Sequence, residues 1–420
     1  EWSDDKSRHV CYTRIPWVNG KTEVMDFTDI MKGESFDSPM MPFAGPDDFS
    51  LHPNGRQIAY ICKKLSGRAY AESTNSEVYL FDMTTGTTRN VTKGMMGYDK
   101  HPAWSPDGER LAWLSMERDG YESDVNSLWI MDMESGEKAQ LLDEEYISTF
   151  TWADNDRIIY GLPKDGTQQI HELEFKWKSG SYKRVSTGDL LTDQHNYYGM
   201  ISRDDLLYVT RADMNHATEI FLLDDDELSA VTNVNDSIYN SIDLSNIEKR
   251  MIKTTDGKDM LTWVIYPPNF DPSKKYPTLL YCQGGPQSQV SQFYSFRWNF
   301  QLMAAQGYIV VAPNRRGLPG FGREWNEQIS GDWGGQAMKD YLSAIDEVAK
   351  EPYVDAERLG AVGASYGGYS VYMLAGIHEG RFKALISHCG LFNLKSWYGS
   401  TEEMFFANWD LKGPYWDPAY

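Results

Sequence analysis

The apolar positions of this 420-residue chain follow two different patterns. Up to about residue 245, short apolar runs such as 77–82 and 127–132 lead into Thr-Gly or Ser-Gly turns, which is typical of antiparallel strands joined by hairpins. Beyond it, apolar runs at 276–282 and 308–312 are followed by helical spacing at 338–349. Strands that alternate with amphipathic helices indicate a parallel sheet covered on both faces. We therefore predict two domains, 1–245 and 246–420.

A polar turn recurs through the first domain at a nearly constant interval. The clearest copy is Trp-Ser-Pro-Asp-Gly at 104–108, which leads into a short alternating strand, and related turns begin at Trp2, Leu51, Trp152 and Ile201. The copies start about 50 residues apart, a step typical of four-stranded propeller blades. We predict a β-propeller with about five blades visible. A β-sandwich would explain the strands but not the period.

The second domain contains a serine in a pattern that carries chemistry. The segment 363–367 reads Gly-Ala-Ser-Tyr-Gly, follows the apolar run 358–362 and opens a helix-like stretch. A strand, a sharp turn and a helix with Ser365 at the apex are the nucleophile elbow of α/β-hydrolases, and we expect the flanking glycines to permit the tight bend. A second glycine-rich loop, Gln-Gly-Gly-Pro at 283–286, follows an apolar strand, and its N–H groups are candidates for half of an oxyanion hole.

A propeller followed by Gly-Ala-Ser-Tyr-Gly-Gly-Tyr at 363–369 resembles the prolyl oligopeptidase family of serine peptidases, and the resemblance covers the whole chain. Further matching segments are Pro-Asn-Arg-Arg-Gly at 313–317, Gly-Phe-Gly at 320–322 and Asp-Trp-Gly-Gly-Gln at 332–336. Together with Gly-Gly-Pro at 284–286 they are most similar to the acylaminoacyl-peptidase-like branch. The aromatic-rich tail from Thr401 resembles the bacterial members of that branch that release dipeptides. The fold that this implies is an N-terminal β-propeller followed by an α/β-hydrolase domain.

The resemblance also implies a mechanism. Ser365 would attack the scissile carbonyl, and the N–H groups of Tyr366 and Gly285 would donate hydrogen bonds to the resulting oxyanion. Some relatives have a tyrosine or histidine where Gln283 stands, so a side-chain oxyanion donor from that position is in doubt, although a glutamine amide can still donate. We place Gln283 in the substrate pocket.

The remainder of a catalytic triad is missing from the printed sequence. In this fold the acid and then the histidine follow the serine, but only His378 and His388 come after Ser365, and no carboxylate stands in the expected place between nucleophile and base. The chain also starts at Glu1, inside a propeller turn. We therefore expect a fragment, with an incomplete propeller and a C-terminally truncated hydrolase domain, that is inactive as a peptidase on its own.

Substrate preference is inferred from the resemblance. A propeller over the active site would admit only short peptides, and Phe392, Trp397 and Tyr366 would favour an apolar P1 residue. The alternative, that these rings only pack into the core, is equally open. For the substrate amine, Asp-Glu-Glu at 143–145 is a candidate anchor, although acidic pairs are common on solvated turns. Without an anchor, a dipeptidyl peptidase cannot be separated from an acylaminoacyl peptidase or an oligopeptidase.

Composition narrows the possible partners. The net charge of −21 argues against nucleic acid, and no apolar run reaches the ~20 residues that span a bilayer. The four cysteines are too scattered for a disulfide framework or zinc; Cys282 and Cys389 are expected to be buried on strands, and a bridge between Cys11 and Cys62 is conceivable. We predict no metal and no cofactor.

The resemblance implies a periplasmic or secreted enzyme, often a homodimer. An esterase and a non-catalytic propeller binding protein remain as rival functions.

Overall fold

The computed structural model describes residues 7–18, 21–22, 26–40, 45–143, 146–178, 181–203 and 205–419. In its first part the strands are β1 (Cys11–Tyr12), β2 (Trp17–Val18), β3 (Lys21–Thr22), β4 (Thr28–Asp29), β5 (Phe49–Leu51), β6 (Gln57–Cys62), β7 (Glu77–Asp82), β8 (Thr87–Asn90), β9 (Asp99–Trp104), β10 (Arg110–Ser115), β11 (Ser127–Asp132), β12 (Lys138–Leu142), β13 (Thr149–Trp152), β14 (Arg157–Lys164), β15 (Thr167–Lys178), β16 (Ser181–Leu191), β17 (Asn196–Arg203), β18 (Leu206–Ala212), β19 (Glu219–Asp224) and β20 (Glu227–Ala230). Two short helices, α1 (Gly67–Glu72) and α2 (Asp236–Tyr239), accompany these strands.

The second part has six strands and six helices in its described residues. The strands are β21 (Ile247–Lys253), β22 (Asp259–Ile265), β23 (Tyr276–Cys282), β24 (Ile309–Pro313), β25 (Val354–Ala364) and β26 (Phe382–His388). The helices are α3 (Phe300–Ala305), α4 (Arg323–Glu327), α5 (Gln336–Val348), α6 (Tyr366–Ile377), α7 (Leu394–Tyr398) and α8 (Met404–Asp410).

The strands up to β20 form propeller blades. Strands β5–β8 and β9–β12 each form a four-stranded antiparallel sheet, and β13–β16 and β17–β20 form two more that are joined by one parallel pairing of Gln168 with Asn196. The first strands of these blades begin about 50 residues apart, as the repeated turn predicts. Each recurring turn lies between the first and second strand of its blade. The described residues thus contain four of the about five expected blades, and the turn at Trp2 lies outside them.

The second strands of the blades differ in burial. Buried and partly buried positions alternate over most of β18, as predicted, but β6 and β10 are buried on both faces, so the prediction was wrong for them. In β6 and β10 every residue after the first is buried. Blades stack face to face, and residues of both partners share one core: Ala59 and Leu80 of one blade cluster with Leu111 and Trp113 of the next. The first described residues, including Val10 and Met31, cover the outer face of β6 and β7.

The hydrolase sheet runs in the order β21-β22-β24-β23-β25-β26. Strands β21, β22 and β24 pair antiparallel, and β24, β23, β25 and β26 pair parallel. Met338, Tyr341 and Ile345 of α5 pack on one face together with α6, at the predicted helical spacing. Phe300 and Ala304 of α3 pack on the opposite face, so helices cover both sides of the sheet.

One cysteine prediction was wrong. Cys282 is buried on β23, but Cys389 follows β26 and is exposed. Cys11 is exposed and Cys62 is buried, and both thiols are free.

The propeller and the hydrolase region contact each other at several points. Met214, which follows β18, packs in the same core as Trp263 of β22. A second contact is made by the loop 116–126 between β10 and β11: the hydroxyl of Tyr121 donates to Asn326 Oδ1 at 3.0 Å, and its ring stacks on Trp409 with centroids 4.5 Å apart. The propeller loop is therefore held directly against α4 and α8.

Candidate active site

The order of the parallel strands brings three loops to one edge of the sheet. Strand β23 lies between β24 and β25, with Thr278 paired to Ile309 and Cys282 paired to Gly363. The segments that follow the carboxyl ends of these strands are 314–316, 283–287 and the turn at Ser365. Ligands bind at this edge of open α/β sheets because the loops there are adjacent in space.

Ser365 occupies the strained position of the turn between β25 and α6. Its φ is 57° and its ψ is −122°, and the residue is exposed. Its N–H donates to the carbonyl oxygen of His388 at 3.0 Å, and its own carbonyl accepts from the N–H of Tyr369 at 2.9 Å. The backbone is thus fixed on both sides while the hydroxyl faces outward, which is the geometry of a nucleophile elbow.

The glycines beside Ser365 permit the tight turn through the lack of a side chain and not through a positive φ. The positive φ falls on the serine itself, not on Gly363 or Gly367. A Cβ on Gly367 would lie 2.0 Å from the carbonyl oxygen of Cys282, and one on Gly363 would lie 2.5 Å from the carbonyl oxygen of Gly367. These glycines therefore permit close packing of the turn and α6 against β23.

The second glycine loop lies against the elbow. A Cβ on Gly284 would lie 3.1 Å from the carbonyl oxygen of Ala364 and 3.7 Å from Cβ of Ser365. Gly285 has a φ of 113°, which favours glycine. Within the described residues the N–H groups of Gly285 and Tyr366 have no protein acceptor. Since Tyr366 is the first residue of α6, its N–H is one of the free donors at a helix N-terminus.

A cavity of about 720 Å³ lies over the elbow and is shared by the two domains. Ser365, Gln283 and Gly285 line it from the hydrolase side. From the propeller side it is lined by Glu122 and Asn126 of the loop 116–126, together with other groups such as Lys100 and Tyr146. The cavity can therefore hold a peptide between the serine hydroxyl and polar groups of the propeller.

The propeller wall carries acceptor atoms without partners. Within the described residues, Glu122 Oε2 and Asn126 Oδ1 are buried and make no hydrogen bond. Burial, together with the charges of Glu403 and Asp410, raises the pKa of Glu122 to about 7, while Lys100 opposes that rise. Burial also lowers the pKa of Lys100, to about 8. Unpaired buried acceptors beside an open cavity fit a ligand group that carries several N–H donors.

Sequence reasoning missed Glu122 and Asn126. They lie in a polar loop between two strands, and no local pattern distinguishes them from solvated residues. The candidate that it selected instead, Asp-Glu-Glu at 143–145, includes Glu144 and Glu145, which lie outside the described residues.

The aromatic pocket residues are not brought to this cavity. Phe392 is 80% exposed and contacts Tyr372. Trp397 packs between Trp333 and Phe406, next to the core. The side chain of Tyr366 is fully buried, and its hydroxyl donates to the carbonyl of Trp333 at 2.7 Å. Gln283 lines the cavity, and the three rings do not, so their place in a P1 pocket stays a prediction.

Neither histidine after Ser365 is placed as a base. His378 caps the C-terminus of α6. The ring of His388 has its Nδ1 3.1 Å from Cys389 Sγ, and the structure gives it no hydrogen bond to Ser365. In the described part of the chain, no group of three or more His, Cys, Asp or Glu side chains is arranged to hold a metal ion. None of the described helices has the length and apolarity to cross a membrane.

The elbow, the facing glycine loop and the propeller wall define an α/β-hydrolase joined to a β-propeller. The sequence profile of the prolyl oligopeptidase family matches residues 294–419, and that of the TolB β-propeller domain matches residues 24–247. The chain is 49% identical over 409 residues to dipeptidyl-peptidase 5 of Porphyromonas gingivalis. This alignment covers 96% of this chain and 59% of that protein. It is 31% identical over 399 residues to a probable dipeptidyl-peptidase 5 of Emericella nidulans, and this alignment covers 91% of the chain and 54% of the relative. The chain belongs to the prolyl oligopeptidase family of serine peptidases.

Solved structures show the same fold at low identity. An acylaminoacyl peptidase in complex with Z-Gly-Gly-Phe-chloromethyl ketone matches with a TM-score of 0.72 at 22% identity, over 93% of this chain and 57% of that one. A puromycin-hydrolyzing peptidase of Mycobacterium tuberculosis matches with a TM-score of 0.67 at 15% identity, over 96% and 70% of the two chains. The chain thus spans between one half and three fifths of the length of the two curated relatives named above.

Proposed function

We propose that the protein containing this chain is a serine exopeptidase that releases dipeptides from the free N-terminus of short peptides with an apolar P1 residue. Ser365 Oγ bonds to the scissile carbonyl carbon as its proton passes to a base, and the base returns that proton to the leaving nitrogen as the C–N bond breaks. Water then hydrolyses the acyl-enzyme ester, which releases the dipeptide and restores the hydroxyl of Ser365. The N–H groups of Tyr366 and Gly285 donate hydrogen bonds to the carbonyl oxygen and stabilise the negative charge that develops on it.

The proposal of dipeptide release is supported by two acceptor atoms on the propeller wall that have no hydrogen-bond partner. A free α-ammonium group offers three N–H donors and a positive charge to Glu122 and Asn126. An acylated N-terminus offers one N–H and no charge, so it would leave a buried carboxylate unpaired. This favours a dipeptidyl peptidase over an acylaminoacyl peptidase, the activity named for a structural neighbour.

The test compares two fluorogenic dipeptidyl amides that differ only in N-acetylation, with the full-length protein as enzyme. We expect kcat/KM at least about 100-fold higher for the free amine, and Glu122→Gln should raise KM for it by about 10- to 100-fold because a charge-assisted hydrogen bond is lost. Asp47→Asn is the matched control, since Asp47 lines a smaller neighbouring cavity but not the cavity of Ser365.

The other outcomes identify the rivals. Equal cleavage of the acetylated amide would indicate an acylaminoacyl peptidase or an oligopeptidase, and hydrolysis of p-nitrophenyl esters alone would indicate an esterase. Peptide binding without hydrolysis would indicate a binding protein.

Four further parts of the proposal are supported by the cavity or by resemblance. The propeller forms one wall of the cavity, which favours short peptides, and Tyr281, Phe293 and Trp298 are aromatic lining residues that fit an apolar side chain. A periplasmic or secreted location and a homodimer follow from the family resemblance. Cell fractionation and light scattering of the full-length protein test the last two.

A further inference from the structure

Arg315 lies directly behind the two loops that carry the proposed oxyanion donors. It follows β24, which ends at Pro313 and pairs parallel with β23, so it emerges at the same sheet edge as the 283–287 loop. Its exposed fraction is 0%. A wholly buried arginine is rare, because transferring a charge out of water costs several kcal/mol.

The guanidinium of Arg315 bonds to both sides of the glycine loop. Nη1 donates to the carbonyl oxygen of Pro286 at 2.8 Å, and Nη2 donates to that of Gln283 at 3.3 Å. These carbonyls belong to the peptide groups on either side of Gly284–Gly285. In a trans peptide the N–H points away from the C=O, so the N–H of Gly284 is directed away from Arg315. The guanidinium therefore holds the peptide groups that flank the Gly284–Gly285 peptide, and the N–H of that peptide is the proposed donor of Gly285.

The same group also contacts the second donor residue. The guanidinium carbon of Arg315 lies 4.5 Å from the ring centroid of Tyr366, and Nε donates to the hydroxyl of Tyr341 at 3.1 Å. A single planar cation thus joins the glycine loop, the first residue of α6 and the core helix α5. Arginine suits this position because its rigid fork can bond several oxygens and stack on a ring at once.

The charge of Arg315 has no carboxylate partner among the described residues, whereas that of Arg316 has two. Arg316 is 2% exposed and pairs with Asp256 at 2.6 Å and with Asp340 at 3.2 Å. All the hydrogen bonds of Arg315 go to neutral oxygens, the remaining one being the Arg316 carbonyl at 2.6 Å. A purely structural role does not require an uncompensated buried charge.

We infer that Arg315 is a positioning residue of the oxyanion hole, and that its unpaired charge stabilises the negative charge that develops on the substrate carbonyl oxygen. This inference rests on the proposed function. In the buried environment the guanidinium acts through a low dielectric, so its effect falls on the transition state more than on substrate binding.

The experiment compares Arg315→Met, Arg315→Lys and Arg316→Lys in the full-length protein. The readouts are kcat and KM for a free-amine dipeptidyl amide, and the affinity for a dipeptide boronic acid, whose boron forms a tetrahedral anion on a serine oxygen. We expect Arg315→Met to lower kcat and boronate affinity about 100-fold each, with KM changed less than about threefold. Arg315→Lys keeps the positive charge but loses the planar guanidinium, so we expect kcat to fall about tenfold. Arg316→Lys should keep kcat within about threefold of the wild-type value.

Three other results would overturn the inference or show which variants decide it. If Arg315→Met lowers only the thermal midpoint, Arg315 is structural. If Arg315→Met does not fold, the two lysine variants decide, and equal losses of kcat in both overturn the inference. If the wild-type protein neither cleaves the amide nor binds the boronate, the proposed function fails first and this inference falls with it.

Discussion

At the residue scale, Ser365 combines an exposed hydroxyl with a backbone conformation that L-residues rarely adopt. Non-glycine residues held in such regions cost of order 1–3 kcal/mol and persist where the surrounding structure fixes them. Here the fixing contacts are the hydrogen bonds of Ser365 to His388 and Tyr369. The strain belongs to the serine position and not to the hydroxyl, so it can be measured without catalysis.

Replacement of Ser365 by glycine and by alanine measures this strain. Glycine adopts positive φ freely, whereas alanine carries the same steric conflict as serine. We expect Ser365→Gly to exceed Ser365→Ala in free energy of unfolding by about 1 kcal/mol, as measured by urea titration. A glycine variant less stable than the alanine variant would show that the turn is unstrained.

The pKa of Glu122 sets a pH dependence for substrate binding. The carboxylate pairs with the substrate ammonium only when it is ionised, and its pKa is raised to about 7 by burial and by Glu403 and Asp410, against Lys100. As pH falls below about 7 the carboxyl becomes protonated, so KM for the free-amine substrate should rise, up to about tenfold per pH unit. The Glu122→Gln variant should lack this rise. A wild-type KM that is flat from pH 5 to 7 would argue against the anchor.

At the element scale, the sequence pattern anticipates what local periodicity controls. The four described blades, the helix α5 and the strand-turn-helix around Ser365 follow from the 50-residue repeat, helical spacing and glycine pattern, respectively. The burial of β6 on both faces does not follow, because it depends on a neighbouring blade. The surroundings of Glu122 and Arg315 form only when loops that are distant in sequence meet, so no local pattern could predict them.

Close packing of α6 on β23 is tested by Gly367→Ala. The added methyl group would overlap the carbonyl of Cys282, so α6 must shift and Ser365 with it. We expect the free energy of unfolding to fall by about 1–3 kcal/mol and kcat to fall with it. Gly376→Ala on the same helix is the control, since a Cβ there meets nothing within 4 Å, and it should be neutral or stabilising by up to about 1 kcal/mol. Equal effects of the two changes would contradict the packing argument.

At the scale of the whole molecule, the two domains divide the proposed chemistry between them. The hydrolase region supplies Ser365 and the oxyanion donors, and the propeller supplies Glu122. The distance between nucleophile and amine anchor therefore depends on how the loop 116–126 is held against the hydrolase region. Arg118 of this loop pairs with Asp124 in the loop and with Glu327 of α4.

Glu327→Gln tests whether this contact positions the anchor. Loss of the ion pair should loosen the loop and raise KM for the free-amine substrate about threefold to tenfold, with kcat nearly unchanged, because Ser365 and its donors lie outside the contact. Glu324→Gln is the control, since Glu324 lies on the same helix but pairs with Lys258 inside the hydrolase region. If the effect passes through Glu122, the double variant Glu122→Gln/Glu327→Gln should bind substrate no more weakly than Glu122→Gln alone. Additive losses in this cycle would show that Glu327 acts on substrate binding by another route.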